Sequence, residues 1–162
     1  KDPPRIRDSV ASRWLGDVYK RQVVKDNAVL RVVAKIIVPV ILVFSLYVQF
    51  HGDYGPGGGF QAGVIFAAAF ILYGLVFGVE AIERVFSATA VRIVTALGLL
   101  LFAGVGFWSL LGGERYLDYD ALAQEPLAGQ HLGVFLVELG VGITVAAVMI
   151  TVFVAFAGRT SD

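Results

Sequence analysis

The sequence predicts an all-α membrane protein with four transmembrane helices and cytoplasmic N- and C-termini. Three observations carry this. Apolar residues make up 57% of the chain and its mean hydropathy is +0.78, too high for a soluble globule of 162 residues. Four stretches are long and apolar enough to cross a bilayer, which takes about 20 residues. Lys and Arg fall almost wholly on one side of those stretches, as expected for short cytoplasmic loops. The formal net charge is zero, so nothing suggests nucleic-acid binding. The chain has no cysteine, which excludes disulfides, thiol chemistry and cysteine-ligated metals within it.

Residues 1–22 stand apart. They hold six of the thirteen Lys and Arg and no apolar run, so they do not read as a secretory signal. Asp17-Val18-Tyr19-Lys20-Arg21-Gln22 back-translates as GAT GTG TAT AAG AGA CAG, which resembles the transposon end used to fragment DNA for sequencing. The segment is expected to be adapter read-through, the alternative being a disordered basic tail. The membrane domain is expected over 23–162.

The first span is read as 32–50. Ile36–Phe50 gives fifteen residues, and reaching back to Val32 includes Lys35, whose ammonium can extend to the headgroups. Pro39 either sits where its missing N–H costs little or kinks the helix. The second span, 60–79, and the third, 93–111, contain no charge. The fourth, 132–156, contains one, Glu138. As buried helices of a soluble protein, these four would leave no polar exterior. Excluding residues 1–22, one side carries Lys25, Arg31, Lys35, Arg84, Arg92 and Arg159, the other Arg115 alone. Six against one places both termini and the Glu80–Arg92 loop inside, with His51–Gly59 and Gly112–Gln130 outside.

Lipid tails give helices no hydrophobic reason to associate, so close backbone contact must supply it. Gly74 and Gly78 form GxxxG, Gly63 and Ala67 a small-xxx-small pair, and Gly140 and Gly142 add small surface on the last span. These are the expected packing positions, though glycine is common in membrane helices generally.

The loop between spans 1 and 2 reads His51-Gly52-Asp53-Tyr54-Gly55-Pro56-Gly57-Gly58-Gly59-Phe60-Gln61. It lacks the Gly-Lys-Ser/Thr of a phosphate loop, and no strand precedes its glycines, so neither nucleotide motif fits. Pro56 biases Gly55 away from helix, and Gly57–Gly59 allow positive φ and close backbone approach. Non-helical backbone near membrane depth must be covered. The expectation is a loop buried against something, plausibly a partner subunit; the alternative is a flexible hairpin.

This segment resembles the HG-x-x-x-PGGGFQ-GG motif of the B subunit of multisubunit Na+/H+ antiporters of the Mrp or Mnh type, in the same place between the first two spans. Ala62 stands where a glycine is common. The resemblance covers about residues 25–158. It implies a subunit of a hetero-oligomeric complex in the prokaryotic cell membrane that exchanges Na+ for H+, with other membrane subunits as partners. Related subunits occur in membrane-bound hydrogenases, which keeps a redox-driven pump open as an alternative.

No nucleophile–base pair or metal-ligand cluster stands out, so neither enzyme activity nor a cofactor is expected. The ion-path candidates are Glu138, His51, Asp53 and His131. A carboxyl inside a span marks a proton or cation path, or pairs with a partner's cation. His131 lies seven residues before Glu138 on the same helical face. The imidazole of His51 suits proton entry, or else it bonds to carbonyls at the helix end. Gln61 is read as a cross-helix hydrogen-bonding residue, and the acidic Gly112–Gln130 loop as a solvated face. A stand-alone transporter is the third reading, against which one Glu in four helices is too few for a relay.

Overall fold

A computed structural model describes residues 27–52 and 55–158 of the chain. Residues 1–22, read above as adapter sequence or a tail, lie outside the described residues, as do Asp53 and Tyr54. Four long helices, each apolar and long enough to cross a membrane, account for most of the structure: α1 (Ala28–Phe50), α2 (Gly59–Phe77), α4 (Ala88–Leu111) and α5 (Pro126–Gly158). A short helix α3 (Val79–Val85) and a 3-10 turn (Tyr119–Leu122) lie in the connections.

Helix boundaries follow local chemistry. The Asn27 side chain accepts from the Leu30 N–H at 3.3 Å, and Ser87 Oγ from the Ala90 N–H at 3.2 Å, capping α1 and α4. Pro126 opens α5, where a missing N–H costs nothing. Because α1 begins at Ala28, Pro39 lies eleven residues in and removes an interior hydrogen bond. Gly78 lies outside the helices, between α2 and α3, with φ +99° and ψ 154°. Only glycine adopts that conformation readily, so Gly78 breaks the span and does not pair with Gly74 as a GxxxG face.

The four long helices form a curved row in the order α1, α2, α5, α4. Both main contacts of α5 use glycine. At the α4–α5 crossing, a Cβ on Gly140 would stand 2.8 Å from the Gly98 carbonyl oxygen and 3.0 Å from the Phe102 nitrogen. At the α2–α5 crossing, a Cβ on Gly63 would stand 2.5 Å from the Gly142 oxygen. Gly74 receives Ile82 of α3 and Phe153 of α5. The connection read as a plain Glu80–Arg92 loop is thus folded back: Ile82 is fully buried against Ala67 and Ile150, and Phe86 packs edge-on to Phe70 at 4.7 Å. At that same end, Arg31 and Lys35 of α1 lie 5.5 and 6.0 Å from the centre of the Phe77 ring.

The opposite connection is pinned rather than loose. Tyr116 lies over Gly106 and Tyr119 over Gly133, each ring filling the notch a missing side chain leaves. Gln130 Nε2 donates to Asp120 Oδ1 at 2.7 Å. Asp120, Glu114 and Glu125 remain exposed.

Candidate functional site

α1 ends at Phe50, and His51 caps it with its backbone N–H on the Tyr47 carbonyl at 3.0 Å. The His51 ring stacks on Tyr47, with centroids 5.0 Å apart, and is exposed. From there the chain turns back through the glycine motif and enters α2 at Gly59. Gly58 has φ +142° and ψ 177°, backbone essentially closed to other residues.

This turn is seated on α5 at Glu138. A Cβ on Gly52 would stand 2.7 Å from Glu138 Oε2, and one on Gly58 would stand 3.0 Å from Oε1. A Cβ on Gly59 would overlap the Glu138 carbonyl. One turn along α5, a Cβ on Gly142 would meet the Gly59 oxygen at 3.1 Å and Gln49 Oε1 at 2.7 Å. Gly58 and Gly59 are buried, whereas Pro56, Phe60 and Gln61 are exposed. The non-helical backbone of this turn is therefore covered by the chain's own α5.

Glu138 and the motif are accordingly one site. The carboxyl group is half-buried and lies at the N-terminal end of α2. There the first backbone N–H groups have no helical acceptor and the helix dipole is positive, which suits an anion. From the sequence, Glu138 marks a proton or cation path or pairs with a partner's cation; the helix end is a further source of stabilisation. His131 is exposed, two turns earlier on α5. Between them Phe135 stacks on Phe50 at 5.8 Å. Asp53 is outside the described residues. Among the described residues no three His, Asp or Glu side chains converge as metal ligands.

Two buried polar residues of α1 were not singled out from the sequence. Ser45 is 2% exposed and Gln49 7%. Gln49 Nε2 has no hydrogen-bond partner among the described residues. The signal was present: Ala34, Val38, Ser45 and Gln49 are the buried residues of α1, spaced four, seven and four apart, a helical stripe.

Residues 29–151 match the domain related to the MnhB subunit of Na+/H+ antiporters. The chain belongs to this family. Among its relatives are proteins named antiporter subunit mnhB2 from Staphylococcus aureus strains Newman, JH1 and COL. Each is 35% identical over 140 residues, covering 85% of this chain and 99% of the relative. The matched region takes in the glycine motif, Glu138 and all of α2 to α4. These relatives are named as antiporter subunits, which fits a subunit of a transporter complex.

Proposed function

We propose that this chain is a non-catalytic membrane subunit of a multisubunit Na+/H+ antiporter in the prokaryotic cell membrane. It supports assembly with the other membrane subunits and contributes Glu138 to an ion path, with His51, Asp53 and His131 on the outward approach. One observation carries the reading: the loop with the family's motif is seated on the one carboxyl within the apolar spans, Glu138. Gly52 and Gly58 leave room for the Glu138 carboxyl group and Gly59 for its backbone, which a loop needed only as a connector does not require. The distribution of Lys and Arg supports cytoplasmic termini and an outward-facing glycine loop.

The test is complementation. Everted vesicles from cells lacking this subunit are expected to lose ΔpH-driven Na+ exchange and to regain it when the chain is supplied. Full exchange without the subunit would contradict the proposal.

A further inference from the structure

The four long helices are staggered along the membrane normal. Residues 93–113 carry no charge and lie between Arg92 and Glu114. At about 1.5 Å per residue they span about 31 Å, the thickness of a hydrocarbon core. The middle of this run meets α5 at Gly140, whose would-be Cβ stands 2.8 Å from the Gly98 oxygen and 3.0 Å from the Phe102 nitrogen. Glu138 is about 3 Å further along α5, toward the α4–α5 connection. About 15 Å of hydrocarbon depth therefore lies between Glu138 and the headgroups on that side. α1 and α2 do not cross it. α1 ends at Phe50 with Gln49 against Gly142, and α2 begins at Gly59 against Glu138. Among the described helices, α4 and α5 alone continue through this half of the bilayer.

The α4–α5 connection does not roof the glycine turn either. It seats on Gly129 and Gly133 through Tyr119. With about 3.6 residues per turn, those glycines lie about 180° and 140° around α5 from Glu138. The face above Glu138 instead presents His131 and then Leu127, both exposed. On the turn, His51 and Pro56 are exposed. Gln61 is exposed at the start of α2, its Oε1 3.8 Å from a would-be Cβ on Gly58. Non-helical backbone at hydrocarbon depth is stable only against protein or water, so lipid does not cover this surface. The imidazoles and the amide give water the polar partners it needs. A cation bound for Glu138 needs the same water, because bare hydrocarbon excludes charge.

We propose that a water-filled half-channel runs over the glycine turn from His131 to Glu138 and carries cations through this half of the bilayer. It rests on the reading of Glu138 as part of the ion path. The chain has no cysteine, so single ones report without background. The assembled complex in open membrane sheets is treated with a cationic, membrane-impermeant methanethiosulfonate, which meets both faces of the bilayer and reacts only where water admits it. Leu100, between Gly98 and Phe102 and 65% exposed on α4, is the control at the same depth. Pro56→Cys is expected to react at least about tenfold faster than Leu100→Cys, because hydrocarbon raises a thiol's pKa and each unit removes about nine-tenths of its thiolate. Gln61→Cys is expected to match Pro56→Cys and replaces it if that variant does not assemble. A nitroxide on Leu100→Cys, read by collision with oxygen against a polar nickel complex, is expected about 15 Å below the headgroups, at mid-core. Turn cysteines no faster than Leu100→Cys would overturn the half-channel and leave another subunit as the cover. A nitroxide at headgroup level would overturn the depth it requires. Neither measurement reads exchange. Fast labelling at the turn beside full exchange in Glu138→Gln would uphold the water path and remove only the role of Glu138.

Discussion

Gly58→Ala separates strain at the motif from general damage to the fold. Gly58 has φ +142° and ψ 177°, a region that costs a residue with a side chain about 1–3 kcal/mol. The new methyl group would also stand 3.0 Å from Glu138 Oε1, but that is the end of a flexible side chain and can yield. Backbone strain therefore dominates, and 1–3 kcal/mol is about a 5- to 140-fold shift away from the seated loop. Gly78 supplies the matched control: φ +99°, ψ 154°, and a carboxylate oxygen of Glu80 2.7 Å from its would-be Cβ. Gly78→Ala carries comparable strain at the other end of α2, remote from Glu138. Both variants are expected to lower the amount of complex on blue-native gels. Only Gly58→Ala is expected to lower exchange per assembled complex as well, because only it moves the backbone over Glu138. Wild-type abundance and exchange in Gly58→Ala would refute the reasoning.

Gly140→Ala should reduce complex abundance by forcing α4 and α5 apart, an overpacking cost of about 1–3 kcal/mol. Gly104→Ala, with nothing within 4 Å of the new methyl group, should match or exceed wild type. Ile82→Ala should cost about 2–5 kcal/mol by emptying the fully buried site between α3 and α2; faster proteolysis within 78–87 in membranes is the readout. A single Cys at Asp118 should react with an impermeant thiol reagent outside intact cells, and one at Glu83 only after permeabilisation. Inverted labelling would reverse the orientation.

The four spans were legible because length and apolarity alone define a membrane helix. Their ends were less so. The apolar pattern ran through Gly78, and only the backbone reveals that this glycine ends α2 instead of packing within it. The folded α3 was missed because Glu80, Glu83 and Arg84 around one Ile read as a charged loop. The pinned connection between α4 and α5 was missed because its acidic residues hid the two tyrosines that anchor it. The glycine motif was legible as a buried turn, but its cover was sought in a partner. Nothing local in the sequence says that residue 138 meets residues 52, 58 and 59; that contact depends on how α5 crosses α2. Gln49 was passed over because a single amide in an apolar run gives weak contrast until Ser45 is seen on the same stripe.

The central claim is that the glycine motif holds Glu138 in service of ion exchange. Glu138→Gln keeps the side chain's size and removes its charge. ΔpH-driven Na+ exchange in everted vesicles, normalised to assembled complex, tests it most directly. The account predicts normal assembly with exchange lost. Wild-type exchange per assembled complex would take Glu138 out of the ion path and leave the motif a purely structural turn.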